Sequence, residues 1–406
     1  MNTLQTRLYL MLSGIFFGFL LFNVFDVTIL PIREIAFTTM EWMKYGALLY
    51  IGYILYEMRK ARRPISDNGL TPFYSSLGLF IVISILLHVI NGNFDDNLAL
   101  IDMLLTFAFI AATAHIRWEA SAIILFAQMS LFIVVLIFFH WMLSGMPMSD
   151  FQSVIRNPNI LGVFLSCLLF FQLVAFGDAN KWKKALYSIG ILLALFMIYT
   201  SSARAVLLLL LTVIAAQIVL FFSKRVFYYL FYAVLAFNLL FLVLYSTLAK
   251  SSMFTRLNQW SVENFGKNLF SGRQDIWETA FYYGLERPLT GHKVGITPDE
   301  YIKGAHFVHV HNQYLQIFLE SGFIGLACFI LFLFGIWKVL QKNLDVKIVR
   351  WSACFFLGIL IYQNLEISLF FNIQPIGLFH WLIVSLGISG VLFSASERKR
   401  HSSKNF

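Results

Sequence analysis

Long apolar runs recur along the chain, and they constrain its fold more than any other feature. A helix that crosses a bilayer needs about 20 mostly apolar residues. Runs of roughly that length occupy residues 8–30, 35–57, 71–90, 98–114, 119–143, 158–177, 185–200, 203–222, 226–249, 312–337, 349–371 and 374–394. Charged residues make up only 13% of the 406 residues, about half the usual share of a soluble protein. The sequence predicts an all-α integral membrane protein with about twelve transmembrane helices, or eleven if the break near residue 200 does not separate two.

The basic residues of the short connections predict the orientation in the membrane. Lys and Arg accumulate in short cytoplasmic loops, and here they cluster at residues 59–63, 181–184, 224–225, 338–347 and 398–400. Twelve helices place all five clusters on one side, with both termini in the cytoplasm. Most of the net charge of +9 is then explained by topology, so nucleic acid is not an expected partner.

This topology divides the chain into three regions. Residues 1–249 contain helices one to nine, residues 250–310 form an extracytoplasmic (periplasmic) loop, and residues 311–406 contain the last three helices and a basic tail. Within the loop, Ser271 and Gln274 form a capping-box pattern, and apolar residues on one face predict an amphipathic helix that ends near Gly284. The three cysteines lie singly in apolar runs, which excludes a disulfide framework and a cysteine metal cluster.

Ionisable residues inside the predicted spans lie towards one side of the membrane. An ionisable group in a span costs a few kcal/mol and usually faces a cavity or a partner. Six such residues fall in the outer halves of their helices, namely Asp26, His88, Asp102, His140, Arg204 and Glu366. This distribution indicates a polar cavity that opens outwards, the alternative being that each group simply reaches interfacial water.

Two arginines on the outer side suit an anionic ligand. Arg204 begins an otherwise apolar helix, and its guanidinium group offers a fork of donors that fits a phosphate or a carboxylate. Arg273 lies in the first turn of the predicted loop helix, where a cation opposes the helix dipole unless an anion binds there. The alternatives are a snorkelling interfacial Arg204 and an Arg273 that pairs with Asp275 or Glu278.

Three histidines, His306, His309 and His311, lie close together before the tenth span. No acidic cluster or cysteine stands nearby in the sequence, so a zinc site is not expected. His311 lies where a helix starts, and the dipole there favours a neutral ring that can accept a proton from a hydroxyl group. The alternative is an interfacial histidine that bonds to lipid headgroups.

Taken together, four stretches of the sequence resemble the bacterial O-antigen ligase and O-antigen/capsule polysaccharide polymerase family. They are residues 157–159, 201–204, 272–277 and 311–322. The resemblance implies an inverting, metal-independent glycosyltransferase that needs no cofactor and uses an undecaprenyl-diphosphate-linked glycan as donor. It also implies that the chain lies in the cytoplasmic (inner) membrane of a bacterium, with its active site on the extracytoplasmic face. It implies that Arg204 and Arg273 contact the diphosphate and that His311, or else His309, is the essential histidine. Asn312, next to His311, is assigned to substrate binding.

Within this family the expected function is a polymerase that adds the growing chain to the next lipid-linked repeat unit. The stretches SGRQDIW and HNQYLQ resemble those of capsule-type members, and a flippase and a chain-length regulator would be its partners. A ligase that transfers the glycan to lipid A core or to a protein remains the main alternative. A lipid-linked sugar transporter, and a peptidoglycan polymerase that relies on Asp275 or Asp299, are less favoured.

Overall fold

A computed structural model describes residues 3–25, 30–60, 69–92, 97–155, 157–248, 251–265, 268, 273–302, 309–370 and 374–402. Within these ranges the regular structure is helical, and no strand occurs. The α-helices are α1 (Thr3–Val24), α2 (Leu30–Lys60), α3 (Thr71–Ile90), α4 (Leu98–His115), α5 (Ala120–Leu143), α6 (Pro158–Phe176), α7 (Lys181–Thr200), α8 (Arg204–Phe222), α9 (Lys224–Leu248), α10 (Ser252–Phe265), α11 (Gln274–Gly284), α12 (Gln313–Leu340), α13 (Lys347–Tyr362) and α14 (Gln374–Ser402).

Ten of the described helices are long and apolar enough to cross a membrane, which confirms the all-α integral membrane fold. They are α1, α3 to α9, α12 and α14. The two remaining predicted spans correspond to α2 and α13, so the count of twelve stays a prediction. The span predicted at 349–371 is wrong in its extent, because α13 ends at Tyr362. The polar side chains of Gln363 and Asn364 bond to neighbouring segments there.

Glycines allow two helix pairs to approach closely. A Cβ atom on Gly335 of α12 would lie 2.0 Å from Ser76 Oγ of α3, and one on Gly358 of α13 would lie 2.8 Å from the Leu209 carbonyl oxygen of α8. Small residues at helix crossings let backbones approach in membrane proteins. The second crossing brings α8, which begins at Arg204, beside α13, which leads to Glu366.

Polar contacts divide the connections between helices into two ends of the bundle. At one end, which we call the basic end, three lysines link separate connections. Lys342 Nζ donates to the Gly69 carbonyl oxygen (2.5 Å), Lys224 forms an ion pair with Asp345 (2.6 Å), and Lys347 forms one with Asp178 (2.7 Å). At the opposite end, which we call the site end, bonds link the Phe151 N–H to the Thr200 carbonyl (3.1 Å) and Asn91 Nδ2 to the Thr290 carbonyl (3.1 Å).

α12 is broken at Gly322. The glycine has φ 62° and ψ −164°, a backbone conformation that side-chain-bearing residues rarely adopt. The Phe323 N–H donates to the Pro288 carbonyl oxygen at 2.8 Å, and a Cβ atom on Gly322 would lie 2.4 Å from the Leu289 carbonyl. The segment after α11 therefore occupies the break, and the part of α12 before it runs only from Gln313 to Ser321.

Two helices structure the segment between α9 and α12. α11 ends at Gly284, as the sequence predicts, but it begins at Gln274 with Arg273 at the N-cap position that the sequence assigns to Ser271, so Arg273 precedes the first turn and does not lie within it. α10 was not predicted. A small core joins both helices to the first part of α12, and it includes Phe254, Trp277, Ala280, Val310, Leu315 and Phe318. The described part of the segment is thus packed against the bundle at the site end.

Candidate functional site

The turn that follows α13 carries the acidic residue of the site. Residues 363–370 leave the helix and stay buried except for Leu365, which is half-buried. The Gln313 N–H donates to the Gln363 carbonyl (2.9 Å), and Asn312 Nδ2 donates to the Asn364 carbonyl (3.0 Å). These bonds tie the turn to the start of α12, and they fix the backbone on either side of Glu366.

Glu366 bridges two of the residues that the sequence singled out. Its Oε1 lies 2.7 Å from the Arg273 guanidinium group, and its Oε2 lies 2.9 Å from His311 Nδ1. Arg273 also donates to the Leu365 carbonyl oxygen. The Glu366 side chain is 6% exposed and that of Arg273 is 14% exposed, so the pair is largely removed from water. One carboxylate therefore orients both the guanidinium group and the imidazole ring.

The electrostatic balance keeps Glu366 ionised. Burial alone would raise its pKa, but the hydrogen bond from His311, the charge of Arg273 and the bond from Arg273 outweigh burial and hold the pKa below its ordinary value of 4.5. A carboxylate can only accept hydrogen bonds, so we assign the proton to His311 Nδ1. This tautomer leaves Nε2 with a lone pair that can accept a proton.

His309 lies beside His311 but in a different environment. The two ring centroids are 4.5 Å apart. Burial lowers the pKa of His309 to about 4, and His311 and Arg273 act in the same direction. Glu366 opposes this shift without cancelling it. His309 is therefore neutral at neutral pH, whereas His311 donates a hydrogen bond to Glu366 Oε2.

Local backbone structure presents His311 at the start of α12. His311 has φ 54°, in the left-handed region that costs a residue with a side chain about 1–2 kcal/mol. Asn312 follows as the N-cap of α12, and its Oδ1 accepts the Leu315 N–H at 2.9 Å. Trp277 Nε1 of α11 donates to the Val310 carbonyl at 2.6 Å. Contacts on both sides thus hold the strained residue, as is common at functional sites.

Arg204 lies at the first position of α8, next to Arg273. Its guanidinium group donates to the Asn268 carbonyl oxygen at 3.0 Å, and it is close enough to Arg273 for the two positive charges to interact. The preceding turn is tied down, since the Asp150 N–H donates to Ser202 Oγ at 3.1 Å. Two like charges held close together favour an anion between them.

The structure thus brings Arg204, Arg273 and His311 to one place. Asn312 is adjacent to His311, but its side chain is fully buried. It accepts from the Leu315 N–H and donates to the Asn364 carbonyl oxygen, so it holds the start of α12 against the turn that carries Glu366. Ser271, Gly272, His306 and Asp26 lie outside the described residues. Asp299, considered as an alternative catalytic carboxylate, is exposed on the loop.

The other ionisable residues of the spans pair locally instead of lining one outward cavity. His88 bonds to Asn97 (2.8 Å) and His140 to Ser153 (2.8 Å). Asp102 binds the fully buried Lys44 at 2.9 Å. Of the five described residues in this group of six, only Arg204 and Glu366 belong to the candidate site, where they lie beside Arg273 and His311.

Glu366 supplies the acidic ligand whose absence near the histidines is the reason that the sequence does not predict a zinc site. From the sequence alone no acidic cluster is recognised beside the histidines, yet ligand atoms of His309, His311 and the distant Glu366 lie within 4.8 Å of one another. That set has the chemistry of a divalent cation site. However, both oxygens of Glu366 already bind the Arg273 and His311 nitrogens, and a cation would have to compete with a buried guanidinium group.

A buried hydrogen-bond network supports the site from below. Asn238 of α9 donates to the Tyr314 hydroxyl at 2.6 Å, and Asn364 donates to Asn238 Oδ1 at 2.6 Å. The Tyr314 hydroxyl donates in turn to the Leu360 carbonyl at 3.0 Å. α9, α12 and α13 are therefore cross-linked directly beneath the turn that carries Glu366.

Comparison with known families covers part of the candidate site. Residues 189–330 match the family model described as O-antigen ligase, whereas no curated protein matches the chain. The matched segment includes Arg204, Arg273 and His311, and Glu366 lies beyond it. The match over residues 189–330 of the 406 therefore supports the resemblance to the O-antigen ligase family that the sequence motifs indicate.

Proposed function

We propose that the protein is a membrane glycosyltransferase that polymerises undecaprenyl-diphosphate-linked oligosaccharide repeat units into O-antigen or capsular polysaccharide at the extracytoplasmic face. The observation that carries the proposal is the chain of contacts from Arg273 through Glu366 to His311, with Arg204 alongside. It combines an anion-binding group with a base, which is what transfer from a diphosphate to a hydroxyl group requires.

In the proposed reaction the two arginines bind the diphosphate of the donor. As the bond between the sugar C1 and the phosphate oxygen breaks, its electron pair stays on the leaving diphosphate. Arg204 and Arg273 stabilise that charge, and preorganised donors of this kind account for large parts of enzymatic rate enhancements. Arginine serves here in the role that a divalent cation has in other phosphate-dependent enzymes.

His311 acts as the base. Its Nε2 takes the proton of the acceptor hydroxyl group while the hydroxyl oxygen attacks C1 from the side opposite the diphosphate, which inverts the anomeric centre. Glu366 orients the ring through Nδ1 and stabilises the imidazolium that forms, as a carboxylate does behind other catalytic histidines. The proton then leaves to solvent, and undecaprenyl diphosphate departs.

The decisive experiment is glycan transfer by purified protein in lipid nanodiscs with a defined lipid-diphosphate oligosaccharide. Arg204→Ala and Arg273→Ala are each expected to lower the rate by at least about 10²-fold, the usual cost of removing one such donor. Arg256→Ala is the matched control, since Arg256 is exposed on α10. Normal transfer by both site variants would refute the diphosphate role.

A chelator separates the arginine mechanism from a metal mechanism. Transfer is expected to continue in EDTA at the rate seen without it. If EDTA abolishes transfer and a divalent ion restores it, the cluster of His309, His311 and Glu366 is a metal site and the metal-free mechanism is wrong.

A ligase is the second candidate, and the match of residues 189–330 to the O-antigen ligase model favours it. The same donor, arginines and base would serve both reactions, so the acceptor distinguishes them. Given both acceptors, the polymerase proposal expects long lipid-linked products. Transfer to lipid A core alone, with no elongation of the lipid-linked acceptor, would identify a ligase.

A further inference from the structure

The helix α10 has three distinct faces. One residue of an α-helix is rotated by about 100° from the next. Phe254 and Ser261 are buried and lie on the face towards the protein, where Phe254 joins the small core with Trp277. Met253, Leu257 and Trp260 form a stripe of the spacing i, i+4 and i+7, rotated by about 90° from that buried face.

The apolar stripe is exposed. Met253 is 63% exposed, Leu257 43% and Trp260 54%. Each of the three presents a large apolar side chain to the surroundings on the same side of the helix. One exposed apolar residue needs no explanation, but three that are aligned on one side of a helix indicate contact with an apolar environment.

The polar face of α10 is directed away from the protein. Arg256, Gln259 and Glu263 are exposed there, and Gln259 Nε2 donates to Glu263 at 2.9 Å. Val262 is also exposed, but it stands apart from the stripe. α10 thus has a buried face towards the protein, a polar face on the opposite side, and the apolar stripe between these two faces.

We propose that the stripe of Met253, Leu257 and Trp260 lies in the interface of the bilayer, and that α10 is a surface helix resting on the lipid beside the bundle. α10 begins at Ser252, shortly after α9 ends at Leu248, so it starts where a helix of the bundle ends. Helices with this division of faces lie in the plane of the membrane interface, and tryptophan is enriched at that depth.

The small size of the stripe argues against a second copy of the chain as the partner. A stable protein interface buries roughly 800 Å² on each side, far more than three side chains on one helix can provide. The bilayer needs no such minimum, since each apolar side chain that leaves water contributes by itself.

The lipid contact has a structural consequence for the arginines. Asn258 of α10 donates to Asn268 Oδ1 at 3.2 Å, and the Asn268 carbonyl accepts from Arg204 at 3.0 Å. A helix held at the membrane surface therefore fixes the depth of the polar group around Arg204. This inference does not depend on the proposed glycan transfer, because it concerns only α10 and the lipid.

Nitroxide labels on the full chain in phospholipid nanodiscs test the proposal. The variant Leu257→Cys places the label on the stripe, and Gln259→Cys places a matched control on the polar face two residues away. Cys167, Cys328 and Cys354 are buried, so the unsubstituted chain gives the labelling background. Power saturation with oxygen, which concentrates in lipid, and with a water-soluble nickel chelate reports the depth of each label.

The label at residue 257 is expected to collide with oxygen and to be protected from the nickel chelate, whereas the label at 259 shows the opposite. Trp260→Cys repeats the measurement if Leu257→Cys does not fold. Equal access of the nickel chelate to both labels would overturn the proposal. So would protection of residue 257 from both reagents with spin–spin broadening, which would identify a second copy of the chain as the partner.

Discussion

Glu366 joins the two chemical functions of the candidate site, because its two oxygens bind Arg273 and His311 separately. Glu366→Gln keeps the shape of the side chain and removes its charge, so we expect transfer to fall by about 10²–10⁴-fold, the range for acid–base groups. Transfer assays under saturating donor measure the loss. Glu263→Gln, on the exposed face of α10, is the control and should leave the rate unchanged. Full activity of Glu366→Gln would remove the carboxylate from the mechanism.

The same residue gives a pH-dependent contribution to stability. Burial opposes the charge, but the contacts with His311 and Arg273 hold the pKa of Glu366 below its ordinary value of 4.5. A depressed pKa contributes stability that is present above the ordinary value and is lost as the pH falls through the folded-state value. Thermal unfolding in detergent should therefore show a smaller loss of stability below about pH 4.5 in Glu366→Gln than in the unsubstituted protein. Identical acid profiles would contradict this account.

At the scale of single residues, the sequence indicates the arginines and His311 because each is a polar group in an unfavourable place. It does not indicate their common partner, since Glu366 lies 93 residues from Arg273 and 55 from His311. Such pairings depend on tertiary structure that no local spacing encodes. Lys44, a cation inside a predicted span, is a signal that was present and overlooked, as it is fully buried against Glu41 and Asp102.

Among the structural elements, the break in α12 is the most sensitive to substitution. In Gly322→Ala the new Cβ atom would meet the Leu289 carbonyl, and the residue would keep a positive φ. We expect destabilisation of about 1–3 kcal/mol, the cost of backbone strain of this kind, with lower transfer activity. Gly78→Ala on α3 is the matched control, because no atom lies within 4 Å of its Cβ position. Thermal unfolding in detergent measures the stability of both variants. Equal stability of Gly322→Ala and Gly78→Ala would contradict the expectation.

The N-caps of α12 and α6 form a second matched pair. Asn312 and Asn157 both accept backbone N–H groups at the starts of their helices. Loss of a cap costs about 1 kcal/mol. Asn312→Ala should cost more than Asn157→Ala, because it also removes the buried bond to the Asn364 carbonyl beside Glu366. Thermal unfolding and transfer measured together test this, and an effect of Asn157→Ala equal to that of Asn312→Ala would contradict it.

The sequence predicts the long helices well, but it does not predict all of the structure within and between them. Apolar runs predict the long helices because hydrogen-bonded helices satisfy the backbone within a membrane. α10 and the break at Gly322 were not predicted. The face of α10 towards the protein rests on a core formed by α11 and α12, and the break depends on the Pro288 carbonyl, so both require contacts between distant segments.

The molecule as a whole has a basic end and a site end, and these should lie on opposite sides of the membrane. Lys181→Cys at the basic end and Glu263→Cys at the site end test this, since both positions are exposed and the three native cysteines are buried. In intact cells with a permeable outer membrane, an impermeant maleimide should label residue 263. Residue 181 should react only after the inner membrane is opened. Labelling of both positions in intact cells would refute the predicted topology.

The order of the site residues along the chain also matters during synthesis. Arg204, Arg273 and His311 enter the membrane before α13, and Glu366 follows only after α13 has been made. The Glu366 turn then leads into α14, whose Trp381 donates to the Leu369 carbonyl at 2.7 Å. A chain that is still being translated therefore holds Arg273 and His311 without the carboxylate that binds both. Under the proposed function, a chain would therefore acquire the complete site only after the Glu366 turn has been made and its Leu369 carbonyl has bound Trp381 of α14.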